Sequence, residues 1–376
     1  MAPTQQPLAV AATAKPPPPH FVLVPLPAHG HLIPMVALAR LLASRGARAS
    51  LVTTPLNARR LRDGAVGVDH ALLEIVELPF SPADHGLPPD CQHADKIAET
   101  AQFLPFFLAL RGLAAPFEAY VRALAPRPSC IVADWYNSWT AGVASSLGVP
   151  RLFFHGPSCF FSLCDLIASA HGLHERMAVA DDCETEQHVV PGMPVSVKVS
   201  KDRVTGFFTS PGCKELRDEA MAAMRASDGV VVNTFLDLED DFVACYEAAL
   251  GKPVWTLGPF CLHHRDAVAS RGGDKPGVSK SAITAWLDEQ VPGSVVYVSF
   301  GSVARKLPKQ LFEVGHGLED SGKPFLWVVK ESELASSEAR VWLAALEART
   351  AGHGLVVRGW APQLAVLSHR DRKSVV

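Results

Sequence analysis

The chain has 376 residues, 48% of them hydrophobic and 19% charged, with a formal net charge of −3. That length points to two domains, each able to bury a sizeable core. Acidic and basic residues are interspersed, which leaves no electrostatic footprint for nucleic acid or an anionic membrane; the expected partner is a small molecule.

Residues 1–19 are rich in Ala, Pro and Gln and end in Pro16-Pro17-Pro18-Pro19. They lack the cationic start and continuous apolar stretch of a secretory signal, so a disordered tail is expected. Residues 21–26 (FVLVPL) form an apolar run fit for a buried parallel strand, followed by a turn over Pro27-Ala28-His29-Gly30. A helix is predicted over 32–44, where Leu32, Met35, Val36, Ala39 and Leu42 recur at three- and four-residue spacing, and a second strand over 49–53. This βαβ opening predicts a right-handed crossover and a ligand site at the strand C-termini.

The alternation continues with strands at 72–78, 131–133 and 151–154 and a helix over 137–147 closed by Gly148. Strand 229–233, helix 236–250 and strand 254–257 complete a first doubly wound α/β domain, residues 20–262. Residues 263–281 change to Arg, Asp, Gly, Ser and Lys and read as a linker. A second α/β unit over 282–376 is predicted from helix 282–289, strand 295–300, helix 308–321, strand 325–329, helix 333–349 and strand 355–358. Three strands are too few to complete a doubly wound domain, so an incomplete second domain with an exposed, poorly soluble edge is expected.

The eight Cys residues (91, 130, 159, 164, 183, 213, 245 and 261) show no C-x-x-C and no zinc-ligand spacing. Free thiols in a reducing cytosol and no metal site are the expectation. No apolar run reads as long and uncharged enough to span a bilayer, which predicts a soluble, cytoplasmic protein, expected to be a monomer.

Chemistry concentrates at strand ends. His31 stands after the first strand, where an imidazole can take a proton from a hydroxyl near neutral pH; a capping or hydrogen-bonded surface His fits the same position. Asp134 ends the run 130–133, where it can support an imidazolium or open the next helix as its N-cap. In the second half, Ser299-Phe300-Gly301-Ser302 offers a glycine turn with a hydroxyl toward a phosphate, or ordinary turn chemistry. Trp360 follows the last strand, where an indole can stack a flat base or simply fill the core; Ala361 can read the base edge through its backbone, and Gln363 can bind ribose hydroxyls.

Taken together, the segments PAHGHLIPM from Pro27, DWYNSWTAG from Asp134, SFGS from Ser299 and GWAPQLAVLSH from Gly359 resemble the plant secondary-product UDP-glycosyltransferases. The Phe153-Phe154-His155-Gly156-Pro157-Ser158 stretch is similar to a family segment bordering the acceptor and sugar sites. The resemblance implies a GT-B fold of two Rossmann-like domains, acceptor on the first and UDP-sugar on the second. It implies His31 as general base, Asp134 as its partner, and Ser302, Trp360, Ala361 and Gln363 as donor-binding residues, with His29 where the family usually has Gln. The implied reaction is a metal-independent, inverting transfer, most often of glucose, to hydroxyls of flavonoids, other phenolics or terpenoids. UDP-glucose or another UDP-sugar is then a co-substrate, and no cofactor is implied.

The chain ends seven residues after His369, before the family's His-Cys-Gly-Trp-Asn-Ser, so a truncated member with weak or absent transfer is expected. The alternative is a non-catalytic remnant that binds small molecules. A nicotinamide-dependent oxidoreductase is disfavoured: the first turn lacks G-x-G-x-x-G and the second strand ends in Thr53-Thr54 rather than an acid. An α/β-hydrolase would need a G-x-S-x-G elbow, which is missing from the sequence.

Overall fold

The computed structural model describes residues 17–63, 71–97, 99–179, 186–201, 212–262, 278–301, 308–369 and 372–375. A seven-stranded parallel sheet is built from β1 (His20–Val24), β2 (Arg48–Thr53), β3 (Leu73–Glu77), β4 (Cys130–Asp134), β5 (Arg151–His155), β8 (Gly229–Val232) and β9 (Val254–Thr256). Its order is β3-β2-β1-β4-β5-β8-β9. Between β2 and β3 lies α1's neighbour α2 (Pro55–Asp63), while α1 itself spans His29–Ser44 and bridges β1 to β2.

Strand alternation divides the core in two. Val22, Val24, Val52, Ile131 and Ala133 face one side, where α3 (Phe103–Arg111), α4 (Ala114–Ala123) and α5 (Thr140–Leu147) bring Phe106, Phe117 and Val143. Leu23, Leu51, Val132 and Phe154 face the other, packed with Met35 and Leu38 of α1. Beyond β5 come α6 (Cys159–Ala170), α7 (Leu173–Val179) and the antiparallel pair β6 (His188–Val190) and β7 (Val197–Val199). Helices α8 (Cys213–Arg225) and α9 (Leu236–Leu250) follow. Phe117 is fully buried and meets Trp139 edge-on at 5.4 Å. Truncating it is expected to cost about 3–5 kcal/mol, read as a lowered urea midpoint for Phe117→Ala in far-UV circular dichroism.

The second unit contains α10 (Lys280–Asp288), β10 (Val295–Val298), α11 (Pro308–Asp320), β11 (Phe325–Val329), α12 (Ser337–Arg349), β12 (Gly354–Arg358), α13 (Gln363–Leu367) and β13 (Arg372–Val375). Its sheet runs β12-β11-β10-β13, all parallel. Trp327, Phe325 and Val356 pack with Leu311, Leu343 and Leu346 on one face; Tyr297, Leu326 and Val357 pack with Ile283 and Leu287 on the other.

Several expectations need correction. The second sheet has four strands among the described residues, not three: β13 pairs along β10, with Arg372 opposite Val295 and Val375 opposite Tyr297. Its polar sequence carries no apolar signal, and pairing on an existing strand edge supplies what composition does not. The helix expected over 137–147 begins only at Thr140, and that over 333–349 is split. Ser336 accepts a hydrogen bond from the Ala339 amide at 3.0 Å and starts α12 afresh, after a short 3-10 turn at Glu331–Leu334. By length and composition Phe103–Ala123 is apolar enough to cross a membrane, contrary to the sequence reading. Here it is bent into α3 and α4, and Phe106, Leu110, Phe117 and Val121 enter the core. Residues 1–16, most of the expected linker (263–277) and Ser302 lie outside the described residues.

Candidate functional site

The strand order reverses between β1 and β4, whose C-terminal ends splay into the crevice where open α/β sheets take their ligands. β1 runs into Pro25-Leu26-Pro27, and Ala28, with extended backbone, precedes the first residue of α1. The His31 and Leu32 amides close the first turn onto the Ala28 carbonyl at 3.0 and 2.8 Å. No side chain caps this end, and Pro34, lacking an N–H, cannot complete the bond to the Gly30 carbonyl. His31 thus stands on a helix start whose polar backbone opens into the crevice.

Asp134 is the last residue of β4 and is fully buried. Its Oδ2 lies 2.8 Å from His31 Nδ1, and its Oδ1 accepts from the Tyr136 amide at 3.2 Å. The alternative in which Asp134 caps the following helix is not what is found, since α5 starts six residues later behind Trp139. With Nδ1 engaged by the carboxylate, His31 turns its Nε2 to the crevice, and 24% of its side chain is exposed. Burial opposes protonation of this imidazole, but the charge and hydrogen bond of Asp134 outweigh it and hold the pKa above the ordinary value.

Two further residues that the sequence reading passed over set this geometry. Asn137, 1% exposed, donates through Nδ2 to the Val24 carbonyl at 3.0 Å, tying the end of β1 to the turn after β4. Tyr136 meets His31 edge-on at 5.6 Å and stacks on Phe107 at 4.9 Å, so an aromatic wall adjoins the dyad. The only signal for them was their place within the segment that starts at Asp134.

His29 faces away from Asp134. Its Nε2 lies 3.5 Å from Asp95, which also meets His93 at 2.9 Å and Arg60 at 3.1 Å. His29, His93 and Asp95 form a group of residue types able to hold a metal ion, which spacing did not reveal because the loop to His93 is long. Burial works against ionising Asp95, yet His29, His93 and Arg60 together hold its carboxyl far below the usual range. The same loop is anchored to the turn before His31 by the Ala94 amide, 2.8 Å from the Pro27 carbonyl.

On the second sheet the ends of β10 and β12 point the same way, with β11 between them. Gly301 follows β10 at φ 74°, a left-handed turn that favours glycine. Gly359 after β12 has φ 80° and its amide reaches the Val329 carbonyl at 2.8 Å. Trp360 is half-buried and belongs to neither core cluster, whereas Ala361 is buried against Val357 and Val366. Gln363 is half-buried at the start of α13. His369, at the end of the box, pairs with Asp288 at 3.2 Å.

Comparison with known proteins accords with this arrangement. The family model for the glycosyltransferase N-terminal domain matches residues 20–262, and that for UDP-glucoronosyl and UDP-glucosyl transferases matches residues 281–376. Scopoletin glucosyltransferase of Nicotiana tabacum is 37% identical over 364 residues, which span 94% of this chain and 73% of that protein. The crystal structure of Glycyrrhiza uralensis UGT73P12 with glycyrrhetinic acid 3-O-monoglucuronide superposes with a TM-score of 0.80 at 28% identity, covering 95% of this chain and 72% of that one. Arabidopsis thaliana UGT89C1 with UDP-L-rhamnose gives a TM-score of 0.69 at 26% identity, over 95% and 74% of the two chains. The chain belongs to the plant UDP-glycosyltransferases, enzymes of the GT-B fold.

Proposed function

We propose that this chain transfers a sugar, most often glucose, from a UDP-sugar to a hydroxyl group of a small, partly apolar metabolite such as a flavonoid, another phenolic or a terpenoid. The observation that carries this reading is the 2.8 Å contact between His31 Nδ1 and Asp134 in the crevice between β1 and β4. The acceptor hydroxyl gives its proton to His31 Nε2 as its oxygen attacks the anomeric carbon; the bond from that carbon to the β-phosphate oxygen breaks and UDP leaves with the electron pair. Attack opposite the leaving group inverts the anomeric centre. Asp134 stabilises the imidazolium that forms, and the transfer changes no oxidation state, so no redox cofactor is required.

We assign Trp360 to stacking the uracil, the Ala361 backbone to reading its edge, Gln363 to binding the ribose and Ser302 to a phosphate contact; the left-handed turns at Gly301 and Gly359 and the half-buried Trp360 support the assignment. The relative bound to UDP-L-rhamnose supports a UDP-sugar as co-substrate, and the one bound to a triterpenoid glucuronide supports an apolar acceptor. The chain is proposed to act as a cytoplasmic monomer. A dyad held at hydrogen-bond distance favours catalysis over simple binding, since a binder needs no base.

The test is to incubate the 376-residue chain with UDP-glucose and a panel of phenols, following UDP release and glycoside formation by mass. Acceptor-dependent UDP release with a glycoside product is expected. Acceptor binding without either product would establish the binding reading instead.

A further inference from the structure

A second titratable cluster shares the first turn of α1 with the dyad but takes no part in it. His29 is the first residue of α1, while His93 and Asp95 sit at the start of a short 3-10 turn, Ala94–Lys96. Three contacts fix that turn. The Ala94 amide reaches the Pro27 carbonyl at 2.8 Å, the Leu56 amide reaches Gln92 Oε1 at 2.9 Å, and Asn57 Nδ2 donates to the Gln92 carbonyl at 2.8 Å. The turn is thus fastened both to the β1–α1 connection and to α2.

The distances within the cluster suit ligands of one ion better than a closed set of hydrogen bonds. His29 Nε2 stands 3.5 Å from Asp95 Oδ2, long for a hydrogen bond. Two ligands of a tetrahedral zinc ion, each about 2.0–2.1 Å from the metal, lie about 3.3–3.4 Å apart. The Asp95 amide donates to His93 Nδ1 at 3.1 Å, so, assigned from that bond, Nδ1 carries the lone pair and Nε2 the proton. Asp95 Oδ1 lies 2.9 Å from the same nitrogen. Among the described residues this buried oxygen and His93 Nε2 have no hydrogen-bond partner. Two electron-rich atoms therefore face each other, which is unfavourable and which a cation held by both relieves. The His29 and His93 rings are 4.3 Å apart, and the ligand atoms of all three residues lie within 4.8 Å of one another. The His93 side chain is 1% exposed, whereas those of His29 and Asp95 are 16% and 18% exposed, which leaves a way in for an ion and a water ligand. Arg60, 3.1 Å from Asp95 Oδ2, orients the carboxylate, while its charge opposes the ion and limits the affinity.

We propose that His29, His93 and Asp95 bind one divalent transition-metal ion of the zinc type, with water completing its coordination. Two imidazoles and one carboxylate suit Zn²⁺ over Mg²⁺ or Ca²⁺, which prefer oxygen ligands throughout. The ion clamps the start of α1 to the loop that carries His93 and Asp95, and it takes no part in the transfer step. The site is therefore independent of the transferase reading.

The experiment uses the full chain, stripped of metal with a chelator and kept reduced. Titration with Zn²⁺ alone, followed by calorimetry, is expected to show one saturable equivalent, and the loaded chain to melt at a higher temperature than the stripped one. His29→Gln and His93→Gln are each expected to weaken binding about tenfold or more and to abolish the rise in melting temperature. His93 is fully enclosed; should its variant not fold, His29→Gln, at a half-buried position, decides alone. A wild-type chain with no saturable Zn²⁺ equivalent overturns the proposal. So does Zn²⁺ held as tightly by folded His29→Gln as by the wild type, which would place the ion on other histidines or on the cysteines. Neither measurement depends on sugar transfer, so a failure here and a failure of the transferase reading are read separately.

Discussion

Replacing His31 with Ala is expected to lower kcat for sugar transfer by about 10²–10⁴-fold while KM for the UDP-sugar changes little. The base acts as the acceptor hydroxyl loses its proton, so its contribution arises in the transition state and not in ground-state binding. The donor-side candidates Trp360, Ala361 and Gln363 follow β12 of the other sheet, and donor binding should persist. The substitution also strips a partner from Asp134, which is fully buried and, among the described residues, would keep the Tyr136 amide alone. Some loss of stability is therefore expected, and His31→Gln, which fills the space without titrating, separates that loss from catalysis. Steady-state kinetics of both variants, with thermal melts as controls, make the check. A folded His31→Ala protein that keeps most of its turnover would remove His31 from the mechanism.

How much of this was legible in the sequence depends on the physics behind each element. Runs such as Val22–Val24 and residues 229–232 lie in parallel strands buried on both faces, and their unbroken apolar character makes them readable. β13 was invisible because Arg372, Lys373 and Ser374 carry no burial signal and gain strand geometry only by pairing with β10. The start of α12 was misplaced because an apolar periodicity cannot show that Ser336 recaps the helix. For the site, His31 and Asp134 are 103 residues apart, and spacing alone left each with two readings. The resemblance paired them on paper; the reversal of strand order between β1 and β4 is what brings their side chains to 2.8 Å. Asn137 ties the turn after β4 to the Val24 carbonyl, 113 residues away in the chain, and no local pattern encodes such a contact.

Changing Asp134 to Asn keeps the shape of the dyad and is expected to lower kcat/KM by up to about 10⁴-fold, through two separable effects. The first concerns the proton. An ionised carboxylate can only accept, which keeps the proton on Nδ1 and leaves Nε2 free for the acceptor hydroxyl; an amide can instead donate to Nδ1 and move the ring proton to Nε2, where it blocks catalysis. The second concerns pH. In the wild type burial disfavours the imidazolium, but Asp134 outweighs it, so the pKa lies above 6.5 and activity should fall as the pH drops through that raised value. In the Asn variant burial remains and its counterweight is gone, so the acid limb should move to below 6.5. Stability responds in the opposite sense. A raised folded pKa contributes stability that is fully present below the unfolded value and is lost as the pH rises through the folded one. The wild type should therefore exceed the variant in urea midpoint most clearly at acid pH, with the gap narrowing as His31 deprotonates. Rate profiles and urea titrations on either side of pH 6.5 measure both. An acid limb that stays in place in Asp134→Asn would show that another group governs the profile, and that the carboxylate serves the fold rather than the base.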